Sequence, residues 1–382
     1  MTDVSPSARL PEEWQAELSA MGQPRFRAEQ IFRWIHQKGE LDPSRMTNLP
    51  ADLRAALAER GLRPEAETLG VERAEDGTRK LLVGFPDGGR VECVVIPMTR
   101  LGSEDADASA LAEDDEDAEA SSGPVRVTLC ISTQVGCAMG CVFCASGRAG
   151  LKRGLRADEI VSQVLLARRE LAPGEELKNL VFMGMGEPLH HYDETARALR
   201  LLTHPDGGGM SPRRITVSTV GLVPGMKRLG QDFGGKVGLA VSLHAPDDRT
   251  RDAIIPMNKR YPVAELVQAL RDYPLPKRRR ITIEYTLIDG ANDSDAHADA
   301  LVRLLRGIPV KVNLIPMNPV EGSPLSAPAP ERVARFQEKL ARAGYSCFVR
   351  TRRGSAVNAA CGQLALAKEL VELGRKPARI SS

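Results

Sequence analysis

The chain has 382 residues, of which 42% are hydrophobic and 27% charged, which describes a soluble globular protein large enough for one sizeable domain and an appendage. No apolar run approaches the ~18 residues needed to span a bilayer, which excludes a helical membrane protein. Seven cysteines, an odd number spread along the chain, argue against a secreted disulfide framework and for a reducing cytosol. The opening MTDVSPSARLPEEW carries no basic-then-apolar leader, so the expected location is cytoplasmic.

The net charge of +2 hides an asymmetry. Between Leu101 and Pro124 lie nine acids and no Lys or Arg, so the rest of the chain carries +2 + 9 = +11. A basic body suits a polyanionic partner such as RNA, although scattered solvated arginines would give the same sum.

In chain order, residues 1–62 read as a small helical domain. Glu12–Met21 has a helical pattern, the run RFRAEQIFRWIHQKG interleaves apolar and basic residues up to a stop at Gly39, and Ala51–Arg60 forms another helix ended by Gly61. Two readings stay open: a helical lid with its core aromatics, or an RNA-contact module using Arg25, Arg27, Arg33 and Lys38. In residues 63–100 the period changes to two. Val71, Leu81, Val83 and Phe85 sit around turn signals at Asp76-Gly77 and Asp87-Gly88-Gly89, a β-hairpin or small sheet. Its last strand, Arg90–Pro97, carries Glu92, which on pattern alone reads as an exposed strand residue. Residues 101–124 are acidic, Ala/Ser-rich and too poor in apolar side chains to order themselves, so a disordered insert is expected. A sharper reading has this insert mimic RNA and restrain non-specific binding.

From Val125 to about residue 360, strand-like and helical segments alternate. The strand-like runs are Val125–Ile131, Asn179–Met183, Arg214–Val220, Val237–Leu243, Ile281–Leu287, Lys311–Ile315 and Ser346–Arg350. Helical patterns are clearest at Ala157–Leu171, with Asp158 as the expected cap, and at Asp193–Leu202, Pro262–Asp272, Ser294–Leu305 and Pro330–Ala343. This alternation implies an α/β fold with a parallel sheet, an incomplete TIM-like (β/α) barrel whose chemistry sits at the C-terminal ends of the strands. The unusual residues fall there. Gly184-Met185-Gly186-Glu187-Pro188 follows the second strand, Ser218 lies near the end of the third, Ser242-Leu243-His244 ends the fourth, and Asn313 and Asn318 flank the end of the sixth. Residues 361–382 form a C-terminal segment and tail.

After the first of these strands comes CISTQVGCAMGCVFCASGRAG, with Cys137, Cys141 and Cys144 in a C-x-x-x-C-x-x-C run. Soft sulfur ligands at this spacing favour Fe–S, Zn or Cu(I). A structural zinc site usually closes with four ligands, whereas this local set stops at three. Three cysteines on a four-iron cube leave one iron open to a substrate. A zinc knuckle is the competing reading.

With Phe143 just before the third cysteine, the loop resembles the radical S-adenosylmethionine superfamily. The further motifs VFMGMGEPL, ITVSTVG, VSLHAP, IIPMNKRYP, ITIEYTLIDGAND, VNLIPMNP and AACGQL resemble the RlmN/Cfr family of adenosine methyltransferases, over residues 24–100 and 125–365. The resemblance implies that Cys137, Cys141 and Cys144 hold one [4Fe–4S] cluster. Gly186 and Glu187 would bind the amino group of S-adenosylmethionine, with Ser218, Ser242, Leu243, His244 and Asn318 completing its pocket. Cys361 matches the cysteine that becomes S-methylated, Cys130 the second essential cysteine, and Glu92 the proton acceptor. Two cofactor molecules would be used per turnover, one to methylate Cys361 and one to generate a radical on that methyl group. Cys130 would then release the product by forming a disulfide with Cys361.

Without the family, Cys130, Cys361 and His244 read as buried core residues, as do Cys93 and Cys347, for which the family offers no role. GMGEP and LIPMNP resemble the RlmN branch, which implies methylation of carbon 2 of an adenosine in the peptidyl-transferase centre of 23S rRNA and of the adenosine 3′ of the tRNA anticodon. The alternatives are Cfr-type carbon-8 methylation conferring antibiotic resistance, a different radical enzyme such as an activase, and a zinc-bound RNA-binding module. Expected RNA contacts are Arg213-Arg214, Lys277-Arg278-Arg279-Arg280, Arg350, Arg352 and Arg353. The other expected partner is an electron donor such as flavodoxin, and the expected oligomeric state is a monomer.

Overall fold

The computed structural model describes residues 4–98, 123–350, 354, 357–360 and 362–364. Cys361, Arg352, Arg353 and the acidic stretch from Leu101 to Ser122 lie outside them.

Three helices open the chain: α1 (Pro11–Ala20), α2 (Phe26–His36) and α3 (Ala51–Glu59). In α2 the residues Ala28, Ile31, Phe32 and Ile35 fall on one face at helical spacing and are buried, each of the large ones contributing about 1.5–3 kcal/mol. Phe32 packs edge-on against His204, and Glu13 of α1 pairs with Arg197 at 2.8 Å, so these helices rest on the body of the protein. Three of the four cations considered for RNA have protein partners: Arg27 donates to Gln30 Oε1 at 2.6 Å, Arg33 bonds Asp206 at 2.6 Å, and Lys38 lies 3.5 Å over the Trp34 ring.

Strands β1 (Glu67–Arg73), β2 (Arg79–Gly84) and β3 (Arg90–Pro97) form an antiparallel meander. Then follow β4 (Val125–Cys130) and a long loop carrying the ribbon β5 (Gln134–Gly136), the short helix α4 (Ala145–Ala149) and β6 (Leu151–Gly154). Next come α5 (Ala157–Arg169), β7 (Glu175–Phe182), α6 (Tyr192–Thr203), β8 (Ile215–Thr219), α7 (Val223–Phe233) and β9 (Gly238–Ser242). The last part runs α8 (Asp248–Ile254), α9 (Val263–Arg271), β10 (Ile281–Leu287), α10 (Asp295–Leu304), β11 (Val310–Pro316), α11 (Pro330–Arg342) and β12 (Cys347–Val349).

Among the described residues ten strands form one sheet, in the order β1-β2-β3-β4-β7-β8-β9-β10-β11-β12. Pairing is antiparallel up to β4 and parallel from there on, each parallel step bridged by one or more helices. This is the partial TIM-like (β/α) barrel expected from the alternation, with the meander continuing its sheet from one edge rather than standing apart.

One local expectation is corrected. Helix α5 is capped at Arg156 and not at Asp158. The Glu159 carboxylate accepts from the Arg156 N–H at 2.9 Å, the N3 half of a capping box, while Asp158 is buried in the first turn and binds the Arg156 guanidinium.

Candidate active site

The loops at the C-terminal mouth are tied to one another through a few buried polar groups. The N–H of Ser132, just past β4, donates to Gln163 Oε1 at 2.9 Å, and its carbonyl accepts from Gln163 Nε2 at 2.9 Å. Its hydroxyl donates to the Glu92 carbonyl at 2.6 Å and accepts from the Met185 N–H at 2.8 Å. The loop after β4 is thereby fixed to the glycine-rich loop after β7. Glycine is required twice there. A Cβ on Gly184 would meet the Ser132 hydroxyl at 2.6 Å, and Gly186, with φ +104°, would bring one within 2.6 Å of Gln134.

That turn aims Glu187 inward. Its N–H donates to Gln134 Oε1 at 3.0 Å, while its carboxylate accepts from the backbone N–H groups of Leu189 at 3.1 Å and Val220 at 2.8 Å. Burial nevertheless pushes the carboxyl up to about 7, because these neutral donors only partly replace water. His244 has φ +56° and a buried ring whose Nδ1 accepts from the Thr286 N–H at 2.8 Å. This bond assigns the ring proton to Nε2. Burial, reinforced by the charge of Arg251, holds the ring down near 3, so it stays neutral. Phe143 meets it edge-on at 4.7 Å.

The cysteine loop is anchored at several points. The Cys137 N–H donates to the Gly150 carbonyl at 3.1 Å, Val142 N–H to the Ile254 carbonyl at 3.1 Å, and Ala145 N–H to the Gly362 carbonyl at 2.8 Å. Burial pushes the Cys137 thiol up to about 12 and raises the Cys141 and Cys144 thiols as well; for Cys141, the neighbouring Cys144 and Cys137 add to the effect. Cys137, Cys141, Cys144, Gly186, Glu187, Ser218, Ser242, His244 and Asn318 all line one cavity of about 150 Å³.

These residues fit an iron–sulfur cluster and a sulfonium amino acid. Crowded thiols held partly out of water become thiolates most readily beside a cation, which cluster iron would supply. Glu187, a buried carboxylate bonded by neutral N–H donors and by no cation among the described residues, suits the ammonium of the cofactor.

Three expected residues stand apart from that cavity lining. Leu243 is buried in the wall behind it, its N–H donating to the Glu284 carbonyl at 3.1 Å. Cys130 ends β4 and is 7% exposed, with Val94 of β3 as its cross-strand neighbour. Glu92 is not the exposed strand residue that its pattern implied. It is 6% exposed and pairs with Lys80 Nζ at 3.1 Å, because β3 is an interior strand of the extended sheet. Cys361 lies outside the described residues, while its neighbour Gly362 lines the cavity.

Four of the arginines expected to contact RNA stand together, and Arg350 lines both their cavity and the cysteine cavity. Arg213 and Arg214 precede β8, and Arg279 and Arg280 precede β10, at the N-terminal mouth of the barrel. They line a second cavity of about 80 Å³ together with Lys311, Asn313 and Thr282. The five residues of β8 put them about 16 Å from the site at ~3.3 Å per residue. The alternation of strands could have shown this, since both arginine pairs stand before a strand and not after one.

Sequence reasoning missed Arg251, which is 1% exposed and bonds the ends of two strands. Arginine is rarely fully buried, so its type carried no signal. Gln134 and Gln163 were missed for the same reason.

A parallel barrel with three cysteines and a Gly-Glu turn converging at its C-terminal mouth defines a radical S-adenosylmethionine enzyme. Residues 131–301 match the family model of the radical SAM superfamily, and residues 11–61 match that of the ribosomal RNA large subunit methyltransferase N-terminal domain. The chain is 61% identical over 385 residues to the dual-specificity RNA methyltransferase RlmN of Sorangium cellulosum, covering 98% of this chain and 97% of that one. It is 46% identical over 371 residues to the RlmN of Anaeromyxobacter dehalogenans, covering 95% and 92%. The crystal structure of a radical SAM methyltransferase from Sphaerobacter thermophilus superposes with a TM-score of 0.84 at 43% identity, covering 94% of this chain and 99% of that one. This chain belongs to the RlmN family. Among the described residues no helix is long and apolar enough to cross a membrane.

Proposed function

We propose that this protein methylates carbon 2 of an adenosine in the peptidyl-transferase centre of 23S rRNA and of the adenosine 3′ of the tRNA anticodon. The relatives named as dual-specificity RNA methyltransferases support that reading over carbon-8 chemistry. The observation that carries it is the single cavity lined by three thiols, one buried and two half-buried, and by the buried Glu187 carboxylate. Cys137, Cys141 and Cys144 would hold one [4Fe–4S] cluster, with Glu187 and Gly186 taking the amino group of S-adenosylmethionine, two molecules of which are used per turnover. Bound there, these groups supply one-electron reductive cleavage of a sulfonium carbon–sulfur bond.

The remaining work falls to side chains of this protein. The Cys361 thiolate takes a methyl group from the first cofactor by displacement, since an adenine ring carbon is not nucleophilic enough to do so. Gly362, the next residue in the chain, lines the same cavity. Glu92, held by Lys80, accepts the ring proton. Cys130 attacks the Cys361 sulfur, releasing the product and leaving a disulfide that an external dithiol reduces. Ser218, Ser242, Leu243, His244 and Asn318 shape the cofactor pocket, Leu243 from behind the wall. The protein acts as a cytoplasmic monomer, supplied with electrons by a flavodoxin-type donor. Residues 1–62 and the 63–100 meander form accessory units to the 125–360 barrel.

Incubating the protein with 23S rRNA and tRNA fragments and separating the nucleosides by mass spectrometry tests the reading. The expected product is 2-methyladenosine from both RNAs. Finding 8-methyladenosine alone would replace carbon 2 by carbon 8.

A further inference from the structure

We propose that Arg251 is a positioning residue for the cluster: its buried guanidinium locks the barrel mouth behind Cys141 and carries a fixed positive charge that favours the reduced cluster. The inference rests on the reading of Cys137, Cys141 and Cys144 as cluster ligands.

Arg251 sits in the last turn of the seven-residue α8, and its fork reaches three separate pieces of the mouth. Nε donates to the Leu243 carbonyl at 3.0 Å, and Nη2 to the carbonyls of Val220 at 2.6 Å and Ser242 at 3.1 Å. Nη1 donates to Asn258 Oδ1 at 2.9 Å. The ends of β8 and β9, which present Ser218 and Ser242, are thus held by one side chain. Val220 also gives its N–H to Glu187, so the same staple supports the carboxylate. The α8 backbone reaches the cysteine loop directly, because Val142, next to Cys141, donates to the Ile254 carbonyl.

All four acceptors on the guanidinium are neutral amide oxygens. The nearby carboxylates of Asp248 and Asp252 are turned instead to Asn258 Nδ2, at 2.9 and 2.7 Å. A buried cation satisfied only by neutral acceptors is costly unless an anion completes the site. Arg251 and Cys141 act on each other electrostatically. An iron–sulfur core held by three thiolates is net negative and gains one more negative charge when a one-electron donor reduces it. A fixed buried cation therefore stabilises the reduced form more than the oxidised form. A purely structural staple would need only the hydrogen bonds.

The test uses the full chain, reconstituted anaerobically with iron and sulfide, and Arg251→Met and Arg251→Lys variants. Iron content is measured first, then the cluster midpoint potential by dithionite titration followed by electron paramagnetic resonance, without cofactor. The expected result is a midpoint clearly more negative in R251M and close to the parent in R251K, whose ammonium keeps the charge. R251M with full iron content and an unchanged midpoint overturns the inference. Should R251M fail to retain iron, R251K decides: a parent-like midpoint with a lowered melting temperature supports it, and a strongly negative midpoint overturns it. A parent protein that binds no cluster would instead sink the reading of the three cysteines.

Discussion

At the C-terminal mouth of the barrel the strand ends deliver thiols, a carboxylate and hydroxyls, and backbone bonds fix the loops that carry them. At the N-terminal mouth the strand starts deliver Arg213, Arg214, Arg279 and Arg280 above Lys311 and Asn313. Met183, Glu284 and Arg350 line both cavities and so form the layer between them. Many barrels fill this lumen with stacked apolar side chains. Here Thr128, Asn179, Thr216 and Thr282 point into it. The difference teaches that strand direction, and not charge alone, sorts function: residues after a strand reach the cofactor cavity, whereas residues before one reach a chamber a barrel height away.

The largest effect that would break this division is removal of a cluster ligand. Cys137→Ala should reduce bound iron to background and abolish methylation while leaving the far-ultraviolet dichroism of the fold. Retention of a full cluster would move the site elsewhere.

Next comes Glu187→Gln. Loss of the carboxylate should weaken cofactor binding by at least ~30-fold, measured by equilibrium binding to the cluster-loaded protein. The pH dependence of the metal-free protein sharpens the point. Burial raises the folded Glu187 carboxyl to about 7 from its ordinary 4.5. The folded state therefore holds the extra proton between these values. Its contribution to stability is present below 4.5 and is lost as pH rises to about 7, at most about 3 kcal/mol. His36 and His244 act in the opposite sense. Both are held down near 3 by burial, so stability present above 6.5 is lost as pH falls towards 3. Urea titrations at pH 5 and pH 8 should show the parent losing more stability than E187Q over that rise. Identical pH slopes would contradict the burial argument.

Gly186→Ala is a smaller perturbation. Its φ of +104° and the approach of Gln134 predict a loss of about 1–3 kcal/mol in unfolding free energy, with weaker cofactor binding. The smallest effect is expected at the opposite mouth. Arg279→Ala should leave iron content unchanged and cofactor affinity within about twofold, because distant sites rarely couple. A large loss of cofactor affinity would mean that the two cavities communicate through Arg350.

Much of this division was legible in the sequence. Most of the parallel strands were found almost to the residue, as at Ile281–Leu287, because buried strands are continuous apolar runs, whereas β7 begins at Glu175, four residues before the expected Asn179, where its first residues are polar. The seven-residue α8 is too short to show a helical period, and Gly225 and Gly230 weaken the pattern of α7. Glu92 was misread because sequence cannot show that the meander joins the barrel sheet and makes β3 an interior strand. The cysteine spacing and the Gly-Glu turn were visible as chemistry. Arg251 was not, since nothing in its type distinguishes a buried staple from the many surface arginines.

The measurement that tests the account most directly is mass spectrometry of anaerobically purified protein, reading the peptide that contains Cys361. A methyl group on its sulfur is the predicted result. An unmodified Cys361 in protein with a full cluster and excess S-adenosylmethionine would contradict the methyl-carrier mechanism.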